Sequence, residues 1–189
     1  MLAAPPPRPT KADLIAAAQK TVPDLIAPNL KVLFVGINPG LYTAAIGRHF
    51  GRPGNRFWPA LFAGGFTERL LSPYENESLL ERRYGITNLV SRATARADEL
   101  TSEELRAGAK SLAKKVRRYR PKIAAIVGIT SYRIAFDRPA AQLGLQEERI
   151  ADASIWVLPN PSGLNAHYQP AALAKLFREL REAAEQTLL

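Results

Sequence analysis

The sequence predicts an α/β fold of three layers, α/β/α, around a mainly parallel central sheet of about four strands. Three observations carry this expectation. Short apolar runs rich in β-formers recur at residues 31–36, 86–90, 123–127 and 154–158. The segments between them have helical spacing, and strands alternating with helices give a parallel sheet covered on both sides. Two of the runs, the first and the last, break into the same kind of Asn-Pro loop, as ligand loops do at the carboxyl end of such sheets.

Each element has its own reason. Residues 1–9 carry Pro5, Pro6, Pro7 and Pro9 and are predicted to be an extended, disordered arm. Thr10 and Asp13 have capping-box spacing, so a helix is expected from Lys11 to about Lys20. Residues 10–28 read as an N-terminal helical extension, leaving 29–189 as a single domain. Val32–Val35 is apolar at every position, which fits a strand buried on both faces. Residues 37–55 form a long loop punctuated by Gly and Pro, and loops of that length are usually functional or disordered. Helices are predicted over 56–63, ended by Gly64-Gly65, and over 75–83 with Leu79 and Leu80 inward. Thr101 to Glu104 is a second capping box. Leu105, Ala109, Leu112, Val116 and Tyr119 then recur at helical spacing until Pro121 stops the helix. A helix over 130–136 and a closing helix over 169–187 complete the expected order.

Composition sets the bounds. With 189 residues, 47% hydrophobic and 23% charged, the chain suits one globular domain. No apolar run approaches the ~20 residues a membrane span needs. The N-terminus lacks a secretory h-region, so a cytoplasmic, nucleoid or nuclear location is expected. There are no cysteines and two histidines, so disulfides are excluded and no metal or other cofactor is expected. The net charge of +9 points to a polyanionic partner. The cluster Lys114, Lys115, Arg117, Arg118, Arg120 and Lys122 lies at a helix C-terminus, where the dipole favours cations, and reads as a solvated helix end at the amino edge of the sheet.

The first Asn-Pro loop is Gly36-Ile37-Asn38-Pro39-Gly40. Pro39 fixes its own φ and biases Asn38 away from αR, while Gly36 and Gly40 allow close backbone approach. An Asn amide is thereby held at the end of a buried strand. Alone, this reads equally as a turn in which Asn38 caps itself. The second loop, Pro159-Asn160-Pro161-Ser162-Gly163-Leu164, repeats the grammar after Ser154–Leu158.

GINPGL followed by GNRFW, and then LPNPSGL, together resemble the mismatch-specific uracil-DNA glycosylase and thymine-DNA glycosylase branch of the uracil-DNA glycosylase superfamily. The resemblance covers roughly residues 30–183. It implies a monomeric repair glycosylase acting on double-stranded DNA with G·U or related mismatches. The base is flipped out, a water is held beneath C1′, and negative charge on the leaving base is stabilised. It makes Asn38 the residue that positions water; an amide oxygen is too weakly basic to take the proton. Gly36 and Ile37 would border the base, with the backbone around Ile37 reading the pyrimidine edge. Gly40, where uracil-only relatives carry a bulky Tyr, would leave room for thymine, 5-substituted or etheno-modified pyrimidines. Phe50 would stack on the flipped base, a contact worth ~1–3 kcal/mol, or else be a core aromatic under the loop. Asn160 would stabilise the leaving base, where uracil-only relatives have a His. Leu164 would be the wedge, with Ser162 and Gly163 on the DNA backbone and the widowed guanine. Asn55 reads as a loop organiser, with Phe57 and Trp58 as packing.

The loop cations Arg48, Arg52, Arg56, Arg92 and Arg96 are the ones expected near DNA. The family's Arg two residues past the wedge is Ala166 here, followed by His167. Neither His49 nor His167 is assigned a role by this reading. Asp98 is a candidate general base, being the one acid between Arg83 and Glu99; it also suits a helix terminus. Two other readings remain open at this level: a damaged-base binding module with little turnover, and an unrelated nucleotide-binding α/β protein. The missing Walker Lys and missing GxGxxG weigh against the second.

Overall fold

The structure, a computed structural model, describes residues 7–186. Of the proline-rich arm, residues 1–6 lie outside the described residues. At the centre is β1 (Val32–Gly36), buried at all five positions. Its side chains alternate between two cores. Val32 and Phe34 face α3 (Phe57–Ala63) and α7 (Pro170–Gln186). Leu33 and Val35 face α5 (Ser102–Tyr119) and α6 (Ile129–Ala135). Such two-sided burial is why the strand reads as a continuous apolar run.

The sheet has five strands in the order β2-β1-β3-β5-β4. β2 (Tyr84–Asn88), β1, β3 (Ile123–Val127) and β5 (Ala153–Leu158) are parallel. β4 (Gly144–Ile150) pairs antiparallel with β5 at the edge. The chain moves outward from β1 to β2 and then crosses to β3 on the other side of β1. Loops leaving the carboxyl ends therefore diverge there, which opens a crevice.

The α/β/α expectation is met, with differences of detail. β4 is the additional strand. Its residues, Gly-Leu-Gln-Glu-Glu-Arg-Ile, alternate half-buried and exposed, and its charges suit an edge rather than an apolar run. The second strand starts two residues earlier than its apolar pattern, because Tyr84 and Gly85 pair with Val32 and Leu33. The loop after β1 contains a short helix, α2 (Leu41–Ile46), between Gly40 and a left-handed Gly47. The predicted helix over 75–83 is a 3₁₀ turn, Pro73–Glu75, followed by α4 (Ser78–Glu81).

The N-terminal helix α1 (Lys11–Ala16) is capped by Thr10 and Asp13 as a reciprocal box. The segment after it is tied to the body. Ala17 and Val22 are buried with Ala44 and Ala93. Leu25 exchanges both backbone hydrogen bonds with Ile86, and Asp24 pairs with Lys115 at 2.6 Å.

Candidate active site

The loop leaving β1 is held by the loop leaving β2. Val90 N donates to Ile37 O (2.9 Å), Thr94 N to Pro39 O (3.1 Å) and Leu41 N to Thr94 O (3.1 Å). These bonds extend the strand pairing past the end of the sheet. They set Asn38 against residues more than fifty positions away. Its Nδ2 donates to Arg92 O at 2.9 Å and to Thr94 Oγ1 at 2.7 Å. A carbonyl can only accept, so the amide orientation follows: nitrogen inward, Oδ1 outward. Asn38 lines a cavity of about 140 Å³ with Ile37, Gly40, Phe50, Asn88 and Asn160.

Asn160 is oriented the opposite way. Its Oδ1 accepts from Ser162 N at 3.0 Å, closing its own turn. Its backbone carbonyl accepts from Asn165 Nδ2 at 2.9 Å. Its Nδ2 is the half of the amide left to donate. The cavity thus holds two amides with complementary free ends, an acceptor at Asn38 and a donor at Asn160.

Phe50 sits at φ 52°, its ring stacked on Phe57 with centroids 3.9 Å apart. Phe57 is fully buried, so it backs Phe50 from the core while Phe50 lines the cavity. Gly36 lies behind the cavity: a Cβ there would collide with Asn88 Oδ1 and touch the Phe50 ring. At Gly40 a Cβ would meet nothing within 4 Å. Past Gly40 lies a second cavity of about 240 Å³, lined by Leu14, Leu41 and Tyr42, that shares Gly40, Arg52 and Ala95 with the first.

Two residues left unassigned by the sequence belong to this wall. His49 is 2% exposed, and its Nε2 lies 2.9 Å from Pro23 O. Nε2 must therefore carry the proton, leaving Nδ1 to accept from Asn88 Nδ2 at 3.5 Å. Asn88 thereby keeps Oδ1 for the cavity. Burial pushes the His49 pKa down, with the Pro23 carbonyl and Asp24 pulling the other way and Lys115 adding to the decrease. The unfolded chain then takes up the proton first as pH falls below about 6.5. Folding stability is expected to be full above that pH and to decline toward the lower folded value. Urea midpoints at pH 7.5 and 5.5 check this. His49→Gln should show less decline than wild type; an equal decline in both would remove His49 as the cause.

The second loop is clamped from α3. Arg56 Nη1 donates to Asn165 O (3.0 Å) and Tyr168 O (2.8 Å), and Nη2 to Gly163 O (3.3 Å). Its backbone N donates to Pro161 O at 2.8 Å. Asn55 Oδ1 accepts from Phe57 N at 2.9 Å. Gly163 lies so close to Gly54 that a Cβ would collide with the Gly54 carbonyl. Ser162, Gly163 and Leu164 border a neighbouring cavity of about 260 Å³ with Arg52 and Arg56. Leu164 is 78% exposed, which rules out a core role. His167 is exposed at the end of the same loop.

The loop cations separate into three groups. The Arg52 side chain lines the cavities and makes no hydrogen bond or ion pair among the described residues. Arg56 is spent on carbonyls. Arg48, Arg92 and Arg96 are paired with acids: Glu77 at 3.3 Å, Glu104 at 2.8 Å and Asp98 at 2.9 Å. Hydrogen bonding from Arg92 holds Glu104 down to about 2. The structure does not bring Asp98 to the cavity. Both its oxygens accept from Arg96, and its side chain is 66% exposed on the turn Ala97–Glu99. The loop reaches the site, with Arg96 and Ala97 at the cavity wall, but the acid points elsewhere. Among the described residues, no three His, Cys, Asp or Glu side chains could hold a metal ion together. No helix among them is long and apolar enough to cross a membrane.

Residues 23–181 match the family model of the Uracil DNA glycosylase superfamily. The chain belongs to this superfamily. Its members are DNA glycosylases, hydrolases of DNA repair that act on uracil. The match includes both Asn-Pro loops, the Arg56 clamp and the Asn88 wall.

Proposed function

We propose that this superfamily member is a monofunctional, mismatch-specific glycosylase of the thymine-DNA glycosylase-like branch, releasing uracil and bulkier pyrimidines mispaired with guanine in double-stranded DNA. The observation that carries the reading is the pair of opposed amides. Breaking the C1′–N1 bond leaves its electron pair on the base and an oxocarbenium-like sugar. A water oxygen then bonds to C1′ and its proton passes to solvent or to the departing base. Asn38 Oδ1 accepts a hydrogen bond from that water. Asn160 Nδ2 donates to the base oxygen on which negative charge develops. Neither amide takes a proton, so general-base assistance is absent and turnover is slow. Asp98, committed to Arg96, has no part in the step.

The flipped base stacks on Phe50, with Phe57 behind it, and Asn88 Oδ1 meets its hydrogen-bonding edge. Leu164 fills the vacated stack, offsetting an unstacking cost of a few kcal/mol. The space past Gly40 accepts a methyl or etheno group.

Duplexes carrying uracil, thymine or ethenocytosine opposite each normal base test this in single turnover. Release is expected from G·U in preference to A·U, with ethenocytosine also removed. Gly40→Tyr fills open space and should retain uracil release within a few-fold while abolishing release of the two bulkier bases. Binding to G·U duplex with no base released would make the protein a damaged-base binding module.

A further inference from the structure

The protein's net charge is not at its active site. Nine of its 26 Lys and Arg lie between Glu104 and Asp137, a stretch without a single acid. The remainder of the chain carries 17 cations against 17 acids. The whole surplus of +9 therefore sits on α5, β3, α6 and their connections, while three of the five arginines in the active-site loops are neutralised by acids.

Some of the nine have structural work. Lys115 pairs with Asp24 and donates to Thr87 Oγ1 at 2.8 Å. Arg133 donates to Ala141 O, and Arg106 lies 3.9 Å from Glu103. Lys110, Lys114, Arg117, Arg118, Arg120 and Lys122 are exposed and make no ion pair among the described residues. Arg106, Lys110, Lys114 and Arg118 follow one another at i,i+4, with Arg117 between them on the same face. That face is opposite the buried Leu105, Leu112 and Val116. At 1.5 Å per residue the stripe is about 18 Å long. Helix-dipole compensation covers only the last turn, so it does not account for Lys110 and Lys114. Successive like charges at i,i+4 cost helix stability, and among the described residues Lys110, Lys114 and Arg117 make no ion pair that would compensate. The stripe leads to a cavity of about 280 Å³ at the amino edge, where Arg117, Arg120 and Lys122 outnumber a single acid, Asp152. Five residues of strand, about 16 Å, separate that edge from Asn38.

We propose that the outer face of α5, with this cationic cavity, is a second DNA-binding surface. It takes the phosphate backbone of a second duplex while the Asn38 pocket holds the first. Charge complementarity argues for a regular polyanion, since DNA presents one negative charge per ~1.7 Å along its axis. The superfamily's substrate supplies that polymer at high local concentration. Two surfaces on opposite edges would let the enzyme pass between DNA segments without full release.

The variant Lys110→Gln/Lys114→Gln/Arg117→Gln/Arg118→Gln tests this and leaves Lys115 in place. Its Tm should stay within a few degrees of wild type, because relieved i,i+4 repulsion offsets the dipole attraction lost with Arg117 and Arg118. Single-turnover cleavage of a 12-base-pair G·U duplex should stay within twofold of wild type. Wild-type protein saturated with a short abasic duplex should bind a second, unmodified, labelled duplex. The variant should lose that binding, and the salt slope of the second event should fall by about 0.9 for each contact removed. A stoichiometry of one duplex, or equal second binding by the variant, overturns the proposal. A large cleavage defect in the folded variant also overturns it, by assigning the stripe to the first duplex. Capture of poly-glutamate with no second duplex would overturn the DNA assignment. Second-duplex binding is read on unmodified DNA, so it is scored even if no base is ever released.

Discussion

Replacing Asn38 by alanine is expected to slow single-turnover release of uracil from a G·U duplex by about 10²-fold, the scale of a misplaced reacting group. DNA affinity should change little. The side chain's two hydrogen bonds, to Arg92 O and Thr94 Oγ1, are partly exposed. Losing them should cost about 1 kcal/mol each and a Tm shift of a few degrees. Asn38→Asp separates orientation from basicity. A carboxylate is the stronger base, yet one of its oxygens would replace Nδ2 against the Arg92 carbonyl at 2.9 Å. Thr94 cannot relieve this cheaply, because its hydroxyl already donates to Arg96 O at 2.7 Å. The aspartate variant is therefore expected to gain at most a few-fold at neutral pH, with its activity shifted toward alkaline pH. An alanine variant that cleaves at the wild-type rate would reduce Asn38 to a turn cap. An aspartate variant faster by orders of magnitude would show that base strength, not water orientation, limits the reaction.

The two amides of the candidate site were legible because they share a pattern: a buried apolar strand broken by Asn-Pro. Asn88 obeys half of the same pattern, an apolar strand ending in Asn at the same edge. It was missed because Leu89 and Val90 extend the apolar run, so the strand was read two residues late and Asn88 fell inside it. His49 carried no local signal. Its neutrality comes from burial, and the carbonyl that fixes its tautomer, Pro23 O, is twenty-six residues away. β4 and α2 were hidden for opposite reasons. An edge strand can afford the charges of Gln146-Glu147-Glu148-Arg149, and a six-residue helix between two glycines shows less than two turns of periodicity.

Charge was the least legible property. A loop position says that an arginine is near the site, not whether an acid has taken it. Glu77 and Glu104 are distant in sequence from Arg48 and Arg92, and only the fold brings them together. Asp98 shows the converse. Its place after β2 was right for a base, but Arg96 two residues earlier offers a bidentate partner on the same short turn. An exposed ion pair of that kind is weak. It nonetheless keeps both carboxylate oxygens on Arg96 and leaves Asp98 outside the residues that line the cavity.

Arg56→Ala is expected to give the second large effect, again about 10²-fold on cleavage of duplex DNA. Three carbonyls, on Gly163, Asn165 and Tyr168, converge on one guanidinium. Hydrogen bonds to a charged group are worth about 1.5–3 kcal/mol each, and alanine removes all three at once. Of the four hydrogen bonds that Arg56 makes to the loop carrying Asn160 and Leu164, only the backbone bond from Arg56 N to Pro161 O would remain. Arg56→Lys keeps the charge but not the planar fork, so it should resemble alanine more than wild type. A loosened wedge matters most where a base must be extracted from a stack. The defect should therefore shrink on single-stranded uracil substrate and be smaller for an unpaired uracil than for G·U. The salt dependence of binding should stay unchanged, because the Arg56 charge is spent inside the protein. A salt slope reduced by about 0.9, with equal loss on single-stranded and duplex substrates, would instead make Arg56 a phosphate contact.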